Sequence, residues 1–367
     1  MSQLKKGVAL SYIIIFLTNA IGLVLTPFII RSLGKAEYGL YTMIGALVGY
    51  MTILDFGLNN TIIRFVAKYR AQNKKEDEEN FLAHSFIMYG AISILVFVLG
   101  YIGYINLDNL YSNTLSFDEI HKAKIMFIIL IFNLMISLPG GAFTGICSGY
   151  EEFVLPRIAK IARYLLRCGL IVGLLLLGGD AIGIVLVDTI MNMLIIIVNM
   201  FIVFKKLRVT IKLHNFEWSL LKVITGFSIW IFIFAIVHQM RWQVGQLVLG
   251  LTYSTSVVAV YAVAVTLGNY YGVFSSAIST LFLPKATQMV TNNASPKELT
   301  DMFIKISRII LLVLLYVFGG FIIVGEDFIY IWVGNGFEEV YKYVIFIMLG
   351  LTLILSQGFG RNILEAK

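Results

Sequence analysis

Two stretches near the start of the chain decide its fold: Val8–Ile30, VALSYIIIFLTNAIGLVLTPFII, and Tyr38–Phe65, YGLYTMIGALVGYMTILDFGLNNTIIRF. Each exceeds the roughly 20 residues that a helix needs to cross a bilayer, and the seven residues between them leave room only for a hairpin turn. Both also carry groups that lipid does not solvate. The first holds Thr18, Asn19 and Thr26, and the second holds Asp55, Asn59, Asn60 and Arg64. Burying such groups in hydrocarbon costs several kcal/mol each unless they meet partners or water, so they are expected to face a bundle interior or a wet cavity.

Composition extends this reading to the whole chain. Of its 367 residues, 59% are hydrophobic and only 13% charged, with a mean hydropathy of +0.88. Soluble domains carry about 25% charged residues, so the sequence reads as an all-α integral membrane protein. Apolar runs of spanning length lie at about 8–30, 38–62, 82–105, 124–147, 158–178, 181–204, 223–249, 254–281, 303–324 and 341–361, giving about ten helices. A membrane barrel would show short segments of alternating polarity instead.

The net charge of +7 follows from topology rather than from nucleic-acid binding. With Met1 placed in the cytoplasm, Arg31, Lys35, Lys122, Lys124 and Lys342 are external, Arg64, Arg167 and Arg241 lie within spans, and the other twenty of the 28 Lys and Arg residues are internal. That asymmetry satisfies the positive-inside rule and puts both ends of the chain in the cytoplasm. The first span has no small-residue cleavage site and reads as a retained helix. Cys147 and Cys168 lie in or beside spans near the cytoplasmic face, which argues against a structural disulfide, and neither they nor the four scattered histidines have metal-ligand spacing. No cofactor is implied. The run G-x-x-x-x-G-K-[ST] does not occur, so the chain carries no ATP-binding loop of its own.

Loops are short. The longest outer connection, about 106–123, is acidic but too small for a folded domain, which argues against an enzyme acting outside the membrane. The charged inner segment 209–222 divides the sequence into an expected six-helix lobe, 1–208, and a four-helix lobe, 223–367. Echoes between them suggest duplication. Leu33-Gly34 and Tyr41 recur as Leu249-Gly250 and Tyr261, and the acidic stretch Glu78–Phe81 recurs as Glu298–Phe303. Both copies begin with a helix entering from the cytoplasm, as parallel repeats do. The second lobe is two helices short of the first, so the sequence reads as a fragment or truncated product ending at Lys367.

The hairpin motif carries a family resemblance. Thr26-Pro27, the turn Leu33-Gly34-Lys35-Ala36-Glu37-Tyr38-Gly39-Leu40-Tyr41, Asp55-Phe56-Gly57-Leu58 with Arg64, and Gly140-Gly141 to Gly149 followed by Glu151 together resemble bacterial polysaccharide flippases of the multidrug/oligosaccharidyl-lipid/polysaccharide exporter superfamily. The resemblance implies two lobes around a central cavity in the bacterial cytoplasmic membrane. It also implies translocation of undecaprenyl-pyrophosphate-linked oligosaccharide to the outer leaflet by alternating access. Partners implied are the lipid-linked sugar, membrane lipid, a proton or sodium gradient, and polysaccharide-assembly proteins. Where many relatives carry an Asp-containing pair before Leu249-Gly250, this chain has Gly245-Gln246.

Moving such a substrate requires cations for pyrophosphate and polar groups for sugar. At 100° per residue, Arg157, Lys160, Arg163 and Arg167 fall within an arc of about 120° on span five. Arginine suits phosphate because its planar donors bind two oxygens at once. The bland alternative is that these cations anchor the helix at cytoplasmic headgroups. Arg241 in span seven is the strongest single candidate contact, with Gln239, Gln243 and Gln246 stacked on the other side of the helix and His238 one turn before it. Glue between helices is the competing role for those amides. In span two, Asp55 and Asn59 share a face with Thr52, while Asn60, Arg64 and Lys68 lie about 140° away, with Gly57 expected to kink the helix. In span six, Asp188, Asn192 and Asn199 form a polar stripe.

The substrate-binding set is therefore Arg241, Arg167, Arg64, Lys160, Asn19, Asn59, Gln239, Gln243 and Asn192, and the ion-coupling candidates are Asp55, Asp188 and His238. A drug or cation exporter of the same superfamily is one alternative, although its expected acidic residue is missing from the first helix. A membrane-bound polysaccharide polymerase or ligase is another, and a truncated product that transports nothing is the third. Gly141, Gly145 and Gly149, at four-residue spacing, are mainly a packing signal.

Overall fold

The computed structural model describes residues 3–292, 294–360 and 363. Among them lie the α-helices α1 (Gln3–Leu33), α2 (Lys35–Met51), α3 (Leu58–Ala71), α4 (Lys75–Tyr111), α5 (Phe117–Gly149), α6 (Val154–Leu176), α7 (Ala181–Phe201), α8 (Trp218–Thr252), α9 (Thr255–Thr291), α10 (Pro296–Val333) and α11 (Glu339–Ser356). Among the described residues, eight helical segments have the length and apolarity to cross a membrane. Helix α6 reaches about 35 Å at 1.5 Å per residue, which is spanning length, but four cations interrupt its apolar run. The chain is thus an all-helical multi-pass membrane protein, with two compact units, Met1–Val258 and Ala259–Lys367.

Several helix starts are written in the local sequence. Ser116 and Glu119 form a reciprocal capping box at α5, and Ser295 and Glu298 form another at α10, where Pro296 takes the first position. Asp180 caps α7 by accepting from the Gly183 N–H at 3.1 Å. Glu37, in the first turn of α2, ties three helix ends together. One carboxylate oxygen accepts from the Ala181 N–H at 2.8 Å, and the other accepts from Lys122 Nζ at 2.7 Å. What reads in sequence as a long acidic outer connection is largely helical: α4 runs to Tyr111 and α5 starts at Phe117, leaving only residues 112–116 between them.

The second span is broken rather than kinked. Helix α2 ends at Met51, a 3₁₀ turn covers Thr52–Asp55, and Phe56 (φ 50°) and Gly57 (φ 70°) both adopt the left-handed conformation before α3 begins. Two successive left-handed residues end the i→i−4 ladder, which a single glycine bend would not do. The left-handed conformation costs a non-glycine residue about 1–2 kcal/mol, so the position of Phe56 is held by its surroundings. Its ring stacks on Phe232 of α8 with centroids 4.6 Å apart.

In the first unit, α5 is central, packing on α2, α3, α4 and α7, while α6 lies between α1 and α7. The apolar core includes Met43, Ile44, Leu58, Ile62, Val66, Leu82 and Ile146, all fully buried. Lipid tails are as apolar as these side chains, so close packing and hydrogen bonds, rather than exclusion of water, hold such helices together. The segment after α7 is clasped to α4. Asn80 Oδ1 accepts from the N–H groups of His214 (3.1 Å) and Asn215 (3.2 Å), His84 Nε2 accepts from the Glu217 N–H (2.9 Å), and Glu79 binds His214 (2.8 Å) and Thr210.

In the second unit, the buried Tyr271 hydroxyl of α9 donates to the Leu314 carbonyl of α10 at 3.1 Å and lies 2.7 Å from Thr352 Oγ1 of α11, joining three helices through one polar group.

The glycine series on α5 separates by position. A Cβ on Gly145 would lie 2.5 Å from Asn59 Oδ1 and 3.1 Å from the Asn59 carbonyl oxygen, and one on Gly149 would lie 2.8 Å from Val66, whereas Gly141 has open space. Gly145→Ala is therefore expected to lower stability by about 1–3 kcal/mol through overpacking of α3 on α5. Gly141→Ala is expected to be neutral or to stabilise by up to about 1 kcal/mol through helix propensity. Melting of the detergent-purified variants distinguishes the two; equal behaviour would contradict the close approach.

Candidate functional site

Three helices each contribute two polar residues four apart, one turn along a single face: Asn133 and Ser137 on α5, Arg163 and Arg167 on α6, Asp188 and Asn192 on α7. With Met191 they line one cavity of about 290 Å³ inside the first unit. Asn192 Nδ2 donates to Asn133 Oδ1 at 2.7 Å and to Ser137 Oγ at 2.6 Å, and Ser137 Oγ donates to the Asn133 carbonyl at 2.5 Å. The amide side of the cavity is thus an ordered network.

The charged side is an ion pair in fork geometry. Arg167 Nη2 donates to Asp188 Oδ2 at 2.9 Å and Arg167 Nε donates to Oδ1, while the Tyr41 hydroxyl of α2 donates to Oδ2 at 3.4 Å. Each of the two ionic side chains keeps 23% of its surface exposed to the cavity. Arg163 faces the same space, and its Nε is buried with no hydrogen-bond partner. Two guanidinium groups therefore meet one carboxylate, and the wall carries a surplus positive charge.

The sequence singled out Arg167, Asp188 and Asn192, and the structure brings these three together. Asn199, the third member of the α7 stripe, lies outside the cavity wall and donates to Thr144 Oγ1 of α5 at 3.1 Å. Asn133, Ser137 and Tyr41 were not among the sequence candidates, although an amide and a hydroxyl at i, i+4 within the apolar run Phe132–Leu138 are a readable sign of an inward face. Lys160 is exposed on α6, with Arg157 and Arg163 as its charged neighbours.

The remaining candidates cluster around the α2–α3 break or stand apart. Asp55 accepts from the Tyr89 hydroxyl at 3.0 Å and from the backbone N–H groups of Gly57 and Asn59, so its carboxylate caps the exposed amides that open α3. Gln239 Nε2 of α8 donates to the Gly49 carbonyl and, at 3.1 Å, to Thr52 Oγ1, satisfying the end of α2. Gln243 lies beside the same glycine. Asn59 Oδ1 is buried without a partner. Asn19 donates to the Ile15 carbonyl at 2.6 Å within α1. Arg64 is exposed, and Arg241 is exposed with its guanidinium 5.2 Å from the ring centroid of Trp242. The side chain of His238 lies outside the described residues.

Because Tyr89 is fully buried, its bond to Asp55 is open to direct measurement. Tyr89→Phe removes one donor to a charged acceptor and is expected to cost about 1.5–3 kcal/mol. In an Asp55→Asn background the same change should cost less; additive losses in the double variant would separate the two residues.

The fold is similar to that of solved transporters over most of the chain. A multidrug-resistance MATE family transporter of the MOP superfamily, solved inward-facing, matches with a TM-score of 0.67 at 16% identity, covering 94% of this chain and 87% of that one. A MATE protein in complex with MaL6 matches with a TM-score of 0.61 at 13% identity, over 98% and 82% of the two chains. In sequence, a Shigella flexneri protein named "Putative O-antigen transporter" is 27% identical over 137 residues, an alignment that spans 36% of this chain and 31% of that relative. The family model described as "Polysaccharide biosynthesis protein" matches residues 4–290, most of the chain. On that match, which spans most of the chain, the protein belongs to the family described as "Polysaccharide biosynthesis protein".

Proposed function

We propose that this protein flips undecaprenyl-pyrophosphate-linked oligosaccharide from the inner to the outer leaflet of a bacterial cytoplasmic membrane, by alternating access, for cell-surface polysaccharide synthesis. The observation that carries the reading is the surplus positive charge of the α5–α6–α7 cavity, where Arg163 keeps a buried, unbonded donor next to an amide and hydroxyl network. A diphosphate supplies the anionic acceptor that this donor lacks, and sugar hydroxyls match asparagine and serine.

In this reading Lys160, Arg64 and Arg241, all exposed, are the cations that attract the headgroup toward the pathway, with Arg167 behind them. Asn19, Asn59, Asn192, Gln239 and Gln243 supply polar contacts for the sugar. The lobes are 1–208 and 223–367, with residues 209–222 as the cytoplasmic linker and both ends of the chain cytoplasmic, as the distribution of cations requires. Asp55 and His238 are the groups through which a proton or sodium gradient would act. The donor of lipid-linked sugar and its acceptor are other membrane proteins of polysaccharide assembly. A carrier of organic cations would place surplus carboxylate in its cavity, the reverse of the balance between Arg163, Arg167 and Asp188.

Flux of fluorescently labelled undecaprenyl-diphosphate oligosaccharide in reconstituted vesicles tests the reading. Arg163→Gln is expected to slow translocation about tenfold or more, the loss of one charged hydrogen bond of about 1.5–3 kcal/mol. Lys160→Ala and Arg241→Ala should slow it while leaving insertion and melting intact, since both side chains are on the surface. Unchanged flux in all three variants, or no flux above empty vesicles in the parent, removes the reading.

A further inference from the structure

Asp188 is the carboxylate in this cavity, and both of its oxygens are occupied. Oδ1 takes Arg167 Nε, and Oδ2 takes Arg167 Nη2 at 2.9 Å and the Tyr41 hydroxyl at 3.4 Å. Asn133 and Ser137 share the cavity wall, and their amide and hydroxyl oxygens accept from Asn192 Nδ2. A carboxylate beside a hydroxyl offers oxygen donors of the kind a hard cation takes. Here the positive charge at the carboxylate is supplied by the protein.

We propose that Arg167 is a tethered cation: its guanidinium takes the place of a monovalent cation at Asp188 and Tyr41, so that Asp188 does not exchange sodium with the bulk. Two properties make the substitution stable. The guanidinium stays protonated throughout the range in which proteins function, and its fork matches both carboxylate oxygens at once. It is also held on α6, so it competes at an effective concentration that a dissolved ion matches only at very high salt. Arg163 is a second cation facing the same carboxylate from one turn away and supports the same outcome. The assignment withdraws Asp188 from the ion-coupling groups and makes Arg167 a positioning residue, whose loss would convert the cavity from cation-independent to cation-binding. It concerns the charge balance of the cavity and holds whichever anion the protein carries.

The test reads binding rather than transport, so it is independent of the flippase reading. The purified full chain is melted in detergent while sodium replaces choline at constant ionic strength. The parent and Arg167→Lys are expected to melt at a temperature that does not depend on sodium. The double variant Arg163→Met with Arg167→Met should show a melting temperature that rises with sodium and saturates, as a ligand of the folded state requires, and Asp188→Asn added to it should abolish the rise. Where the double variant does not purify, Arg167→Ala alone should gain saturable stabilisation from millimolar guanidinium. A saturable sodium response in the parent that Asp188→Asn removes overturns the proposal. So does a folded double variant indifferent to sodium, or an Arg167→Ala protein indifferent to guanidinium.

Discussion

Hydrocarbon offers no hydrogen-bond partner, and that single constraint organises this molecule. Every polar side chain inside the helices must be satisfied by another helix, by the local backbone, or by an aqueous cavity. The structure uses all three. Asn19 turns back to its own helix at Ile15, Gln239 crosses from α8 to the open carbonyl end of α2, and Asn133, Ser137, Arg167, Asp188 and Asn192 satisfy one another around a shared space. Among the described residues, Arg163 Nε, Arg157 Nη1, Asn59 Oδ1, Asn199 Oδ1 and Ser307 Oγ are exceptions, buried polar atoms without partners. An unmet donor in a membrane protein is a costly feature to keep, which is why the reading of function rests on Arg163 rather than on the better-bonded Arg167.

Helix placement was legible because its cause is local. Spanning length, short loops and the signals Ser116-x-x-Glu119 and Ser295-x-x-Glu298 mark helices without reference to anything distant. The break in the second span was half legible. Gly57 announces a weak point, but its depth depends on Phe56 also turning left-handed, which takes the ring of Phe232 on α8 and the capping carboxylate of Asp55 to hold. Phe232 is far away in sequence. For the same reason the outer segment 106–123, polar enough to read as a loop, is mostly helix. Lys124 of α5 pairs with Asp108 of α4 and Thr114 reaches the Gly250 carbonyl at 2.9 Å, giving its polar groups partners on neighbouring elements.

The cavity shows the same division between what a single helix reveals and what packing decides. The phase of Arg163 and Arg167 on α6, and of Asp188 and Asn192 on α7, follows from 3.6 residues per turn and is visible in the sequence. That Asp188 would meet Arg167, and not stand open as an ion ligand, depends on α6 lying against α7, a relation no periodicity reports. Conversely, Arg241, the strongest single candidate in the sequence, is exposed, an outcome that the polar pattern of its own helix does not report.

A carrier that alternates its access needs one part rigid and another able to rearrange, since packed cores move as bodies between discrete states and do not deform continuously. The α5–α6–α7 triangle, with its bidentate ion pair and amide network, has the character of the rigid part. The α2–α3 junction has the other character: a 3₁₀ turn, two left-handed residues, an interrupted hydrogen-bond ladder, and replacement bonds supplied from outside by Tyr89, Gln239 and the Phe56–Phe232 stack. Bonds supplied by a neighbouring helix can be exchanged when that helix shifts, whereas i→i−4 bonds move with their own segment. The junction is therefore where a shift of α8 against α2 and α3 would be felt first.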